Sequence, residues 1–214
     1  MKSTTAAICL ALLLPAVSAT VHTLCYNYFM QKDGCVYSAA AVDQRCPAPV
    51  KPHPQPVHVF QDQTAHRKRS ESNALERRYN TNKPSFYVSG GDGTCGHYDT
   101  STDLGVCLWN GPEQNNPTPE TAGWLNGAKT SNCGKQVYIQ RKGQPNTVQY
   151  VKVLDGCSFD IKTPDAGCFE IAITLALFYK FNPTPKELHD GKIYEGFTWD
   201  FNNLNGTKLQ QAPV

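Results

Sequence analysis

The chain has 214 residues, 40% of them hydrophobic and 18% charged, with 20 Lys+Arg against 18 Asp+Glu and a formal net charge of +2. This balance supports a folded core and excludes a polyelectrolyte tail or the basic surface that nucleic acid requires. Beyond the N-terminus no stretch approaches the ~18 apolar residues of a membrane-spanning helix, so no membrane association is expected.

Residues 1–19 read as a secretory signal. Lys2 supplies the positive start, Ala6 to Leu14 the short apolar run, and Val17-Ser18-Ala19 the small residues before a cleavage point at Thr20. The mature chain is therefore expected outside the cell. Nine cysteines are present. Cys9 leaves with the signal, and the remaining even number in an oxidising compartment predicts disulfides. Paired Cys-x-x-Cys or His spacings are missing, so neither a metal site nor a cofactor is expected.

Residues 20–78 read as a Cys-containing, Pro-rich leader. Cys25, Cys35 and Cys46 precede Pro47, Pro49, Pro52, Pro54 and Pro56, which favour an extended, disordered chain. A polar run from Gln61 to Arg78 carries two dibasic pairs, Lys68-Arg69 and Arg77-Arg78. Kexin-type proteases cut after such pairs in exposed chain, so Arg69 and Arg78 are the expected processing sites. Residues 79–214 then form one domain of sufficient size for a core. The domain is mildly acidic behind a basic leader, with 11 Lys+Arg against 13 Asp+Glu.

Within that domain, Gly90-Gly91-Asp92-Gly93 is a turn signal and residues 110–119 are loop. Gln136 to Gln140 and Thr147 to Val153 alternate with period two around a polar link, Arg141 to Asn146, which predicts a hairpin. Glu170 to Phe181 predicts a short helix opening near Ala172 or Thr174, bounded by Pro183 and Pro185. Phe197 to Phe201 predicts a last strand. Short strands with Gly/Pro turns and one helix indicate a small barrel.

Five pieces in order carry a family resemblance over roughly residues 88–202. They are Gly90 to Gly93 with Cys95; Ala122-Gly123-Trp124-Leu125-Asn126-Gly127 with Cys133-Gly134-Lys135; Val153-Leu154-Asp155-Gly156-Cys157; Phe169 to Ala172 with Leu177-Phe178; and Gly191 to Tyr194 with Thr198 to Phe201. Together they resemble the double-psi β-barrel domains: barwin, kiwellin, expansin domain 1, cerato-platanins and the rare-lipoprotein-A-like fungal proteins. The resemblance implies a mainly β fold, a six-stranded double-psi barrel with one or two short helices. It also implies an open groove wide enough for polysaccharide, with Asp155 in or near it. Glu170-Ile171-Ala172 depart from the family's Asp, hydrophobic residue and Ser at the helix entry, with Thr174 as the substitute cap.

The resemblance further implies that Cys95 pairs with Cys133, closing a loop worth about 4 kcal/mol, and Cys107 with Cys157. Cys157 with Cys168 is the alternative. Either choice leaves one barrel cysteine odd, and a bridge to the leader would balance both counts.

Asp155 has two readings, a general acid raised by burial or an acceptor that braces the loop crossing. Glu170 has the same two. Glycoside hydrolysis needs two carboxyls about 5–10 Å apart. Tyr98, Trp109, Trp124 and Trp199 are candidate stacking rings for sugar. For Trp124 and Trp199 the core is the favoured place, while Trp109, beside Asn110-Gly111-Pro112, is expected to be exposed. Asn205-Gly206-Thr207 is a glycosylation sequon in an expected exposed tail. These features indicate a monomer that binds cell-wall polysaccharide without hydrolysing it. The alternatives are a secreted effector or protease-inhibitor-type protein acting on a host protein, and a weak glycoside hydrolase or lytic transglycosylase.

Overall fold

A short helix, α1 (Leu24–Asp33), buries Cys25, Tyr26 and Phe29 and opens the part of the chain that the computed structural model describes, residues 21–47 and 79–214. The strands and helices that follow are β1 (Tyr79–Asn80), β2 (Ser85–Val88), β3 (Gly91–Gly93), β4 (Gly96–Tyr98), β5 (Gly105–Trp109), β6 (Gln136–Arg141), β7 (Gln149–Cys157), α2 (Pro164–Gly167), β8 (Ile171–Thr174), α3 (Leu175–Lys180), α4 (Pro185–Asp190), β9 (Lys192–Ile193) and β10 (Phe197–Phe201).

The fold is mainly β. Eight strands form one sheet in the order β1-β10-β6-β7-β5-β8-β2-β9, and β3 and β4 form a separate hairpin. Chain connectivity forces the sheet to curl. β1 pairs with β10 and β2 with β8 and β9, near opposite ends of the order. Yet Asn80 and Ser85 are only five residues apart, at most about 18 Å even when fully extended. The sheet is thus a curled half-barrel of eight strands, where the sequence led to an expectation of six. Two pairs are parallel, β5 with β7 and β2 with β8.

The expected hairpin forms from β6 and β7 in antiparallel register, Val137 opposite Val151 and Ile139 opposite Gln149. Val151 and Val153 are buried, while Tyr150 and Lys152, which alternate with them, are exposed, as period-two alternation requires. The stretch Glu170 to Phe181, expected to hold a helix opening near Ala172 or Thr174, divides in two. Ile171–Thr174 is a strand buried throughout, and α3 begins only at Leu175. There the Thr174 side chain caps the helix by accepting from the Leu177 amide. Four β-branched or small apolar residues in a fully buried strand lack the alternation that separates a strand from a helix.

Residues 21–47 are not a disordered leader. Phe29 stacks on Tyr79 with ring centroids 4.5 Å apart, meets Phe169 edge-on at 5.2 Å and lies 6.0 Å from Trp124. The backbone amides of Leu24 and Cys25 donate to the carbonyls of Ala122 and Gly123 at 2.8 and 3.0 Å. Further along, the Ser38 hydroxyl donates to Asp200 Oδ1 at 2.6 Å, and Asn203 donates to the Ser38 carbonyl at 3.0 Å. The segment therefore completes the aromatic core and covers part of β10. The remainder of the leader, with the prolines from 49 to 56 and the processing sites Arg69 and Arg78, lies outside the described residues, as does the signal sequence.

Four disulfides join Cys25 to Cys168, Cys35 to Cys46, Cys95 to Cys133 and Cys107 to Cys157. Such a set fits an oxidising compartment. Among the described residues no helix is long and apolar enough to cross a membrane.

Candidate functional site

Asp155 sits on β7 beside Cys107 of the parallel strand β5. Its Oδ1 accepts from the amides of Thr94 and Gly156, both at 2.7 Å, and its Oδ2 accepts from the Tyr98 hydroxyl at 3.0 Å. Thr94 lies in the turn of the β3–β4 hairpin and Tyr98 ends β4. The carboxyl thus ties that hairpin to the sheet. Gly93 makes the approach possible, since a Cβ there would stand 2.7 Å from the Asp155 Cγ. Burial, followed by the Asp155 carboxylate, pushes the Tyr98 phenol well above its ordinary value. The hairpin tip carries an exposed His97–Asp92 pair, 2.9 Å between Nδ1 and Oδ1.

An open groove of about 500 Å³ runs beside this brace, lined by His97, Tyr98, Asp103, Leu104, Gln136, Tyr150, Val151, Lys152 and Leu154. Tyr150, Lys152 and Leu154 come from one face of β7. The Tyr150 ring is 56% exposed and has the Lys208 ammonium 5.9 Å from its centroid. Asp103, Lys152, Gln136 and His97 supply acceptors and donors of both signs around an apolar strip made by Leu104, Leu154 and the tyrosines.

Glu170 is elsewhere. It is buried, accepts from the Asn82 amide at 3.0 Å, and lines a small cleft with Lys83, Pro84, Ser85, Phe86, Phe159, Ile161 and Ile171. This set shares no residue with the lining of the larger groove. The two candidate carboxyls, Asp155 and Glu170, therefore do not face one groove. β5 separates β7 from β8, and the two carboxyls have different neighbours. Burial raises the Glu170 carboxyl, and the Asn82 amide and nearby Lys83 oppose the rise only in part.

The three tryptophans are all fully buried, so none offers a face to a sugar. Trp109 is the clearest correction. It belongs to β5, donates to the Ile161 carbonyl at 3.2 Å, and packs so tightly on Gly167 that a Cβ there would stand 2.2 Å from the indole. Its loop-like neighbours Asn110-Gly111-Pro112 begin only after the strand ends. Trp124 donates to the Cys168 carbonyl at 3.0 Å and Trp199 to the Phe169 carbonyl at 2.9 Å, both holding the segment that leads into β8. Tyr98 is 5% exposed, although its edge reaches the groove. Tyr150 is absent from the sequence-predicted site residues; it shares the polar face of its alternating strand with Lys152, and its cross-strand partner Tyr138 holds the same place in β6 but is buried.

Asn205 is exposed in a turn, but the tail beyond it is docked. Lys135 donates to the Asn132 side chain at 2.9 Å and to the Ala212 carbonyl at 2.5 Å, and the Val214 amide donates to Asn132 at 3.1 Å. Burial, and then the nearby Lys129, lower the Lys135 ammonium to about 8. Among the described residues no group of three or more His, Cys, Asp or Glu could hold a metal ion.

No protein-family model matches the chain. No curated protein matches it either. Among solved structures it is similar to the Streptomyces papain inhibitor (SPI), at 23% identity and a TM-score of 0.34, over 55% of this chain and 90% of that one. A likeness at that score supports neither a shared fold nor a shared activity.

Proposed function

We propose that this chain is a secreted relative of the barwin- and expansin-like double-psi barrels that binds cell-wall polysaccharide without hydrolysing it. The parallel β5–β7 and β2–β8 pairs, the curl of the sheet and the Cys95–Cys133 and Cys107–Cys157 bridges support the family part of that reading. The observation that carries the functional part is the exposed Tyr150 ring in an open groove of about 500 Å³ with polar groups of both signs. A neutral glycan presents C–H faces that pack on an aromatic ring and hydroxyls that both donate and accept. The groove offers partners for each.

The placing of the carboxyls supports the non-hydrolytic part of that reading. Hydrolysis by the usual route requires two of them on opposite sides of one bond. Asp155 is held by three donors as a brace, and Glu170 opens on a separate cleft. Co-sedimentation with insoluble chitin, cellulose and peptidoglycan tests the reading. Retention of the parent protein and loss of at least tenfold in affinity for Tyr150→Ala is the expected outcome. A protein partner is the second reading, favoured by the Glu170 carboxyl in the Phe86–Phe159 cleft, which has no cation within 4 Å among the described residues.

A further inference from the structure

Two glutamates are buried to nearly the same degree, Glu187 at 2% and Glu170 at 4% exposure. Their surroundings differ. Glu187 Oε1 meets the Arg141 guanidinium at 2.6 Å, and its other oxygen accepts from the Thr184 amide at 2.8 Å. Burial pushes the Glu187 carboxyl up, but these amide and guanidinium partners prevail and it lies below its ordinary value. Glu170 has the amides of Asn82 and Lys83 and feels the Lys83 charge, but among the described residues no basic group stands within 4 Å of it. A buried carboxylate without a cation is costly, and proteins pair such groups.

The cleft in front of Glu170 has the shape and chemistry of the missing partner. Its volume is about 50 Å³, room for about four water-sized groups. Ser85, 2% exposed, lines it, and the Ser85 hydroxyl has no hydrogen-bond partner among the described residues. Phe86 and Phe159, with ring centroids 5.8 Å apart, wall it together with Ile161 and Ile171. Phe159 and Asp160 both hold φ of 54°, a left-handed conformation that non-glycine residues seldom adopt and that marks a fixed loop at a site.

We propose that this cleft takes a lysine side chain of a partner polypeptide, with the ammonium between Glu170 and Ser85 and the methylene stem lying along the apolar wall that Phe86, Phe159, Ile161 and Ile171 form. An ammonium has three hydrogens to donate. The carboxylate and the orphan hydroxyl accept two of them, and the aromatic walls favour a cation over a neutral tip. A long unbranched stem suits a narrow apolar throat with a polar floor. Lys83 also lines the cleft but is exposed and lies beyond 4 Å from the carboxyl, which makes it a competitor for Glu170 and not its partner. The site is separate from the Tyr150 groove and stands without it.

The test uses the full chain, ¹⁵N-labelled, titrated with butylammonium chloride and with 1-butanol at constant ionic strength. The amides of Asn82, Ser85 and Phe86 should shift saturably with butylammonium and at least tenfold more weakly with butanol. Glu170→Gln, which keeps an acceptor for the Asn82 amide, should weaken butylammonium binding at least tenfold. Ser85→Ala should weaken it several-fold, and Lys83→Met should tighten it. A blocked Gly-Lys-Gly peptide should shift the same amides, and its acetyl-lysine form should not. Equal response to butanol, or unchanged binding by Glu170→Gln, overturns ammonium recognition. Binding of butylammonium without binding of the lysine peptide overturns the polypeptide partner in favour of a free amine.

Discussion

The Tyr98 hydroxyl donates to Asp155 Oδ2 at 3.0 Å, so the carboxyl near the end of β7 is bound to the hairpin that rims the groove. A residue that could have been an acid catalyst is thereby occupied as an acceptor. Asp155→Ala should cost about 1–3 kcal/mol, the effect of leaving buried donors unpaired. Hydrogen exchange at the Thr94 and Gly156 amides should accelerate by more than at the β6 amides.

The same bond sets a pH limit. Tyr98 is raised above its ordinary value by burial first and Asp155 second, so the unfolded chain releases this proton before the folded one. Its contribution to stability is fully present below about pH 10 and is lost as pH rises above that. Spectrophotometric titration should show Tyr98 and the fully buried Tyr79 ionising only at unfolding, and Asp155→Asn should bring Tyr98 alone back towards the usual range.

Lys135 acts in the opposite sense over a lower range. Its ammonium is lowered to about 8 by burial and then by Lys129, so between about pH 8 and pH 10 the unfolded chain holds more protons at this site. Stability attributable to it should rise across that window and should be least below it. Urea midpoints at pH 7.5 and pH 9.5 measure the rise, and Lys135→Met should flatten it.

The Cys25–Cys168 bridge makes the N-terminal segment part of the folded protein. Cys25→Ser should destabilise by about 2–5 kcal/mol. If processing follows Arg78, as the dibasic pair in the sequence leads one to expect, the piece carrying α1 should remain attached through this bridge and separate only after reduction. Intact-mass measurement before and after reduction checks both statements. A secreted species uncut at either dibasic pair would remove the processing step.

Much of the strand content is legible in the sequence because apolar and polar residues alternate along β6 and along the first half of β7, where the burial of Val151 and Val153 follows the alternation, and because β10 is rich in aromatic and β-branched residues. In β6 both faces are covered, from Val137 to Arg141. The sequence places the helix start near Ala172 or Thr174 and not β8 before it, because a strand buried on both faces has no period; the Thr174 start is the one the structure takes. Helix α1 went unread for a related reason: its apolar and polar residues are spread around the helix, and it is held by Cys25–Cys168 and by Phe29 against Tyr79, contacts with residues far along the chain. Trp109 misled because the turn residues after it dominate its local context, whereas its burial comes from Ile161 and Gly167 more than fifty residues away. The odd cysteine count on each side of the Pro-rich stretch did point to a bridge between them, since counting needs no geometry.

The central claim is that the groove beside Tyr150 is a polysaccharide site. Its most direct measurement is the affinity of the folded protein for insoluble cell-wall glycan, compared between the parent and Tyr150→Ala, with thermal melting of both. The account predicts that the parent is retained, that the variant loses at least tenfold in affinity, and that their melting temperatures agree within a few degrees, because a half-exposed ring contributes little to the core. A parent that binds no glycan, or a variant that binds as tightly as the parent, would contradict it.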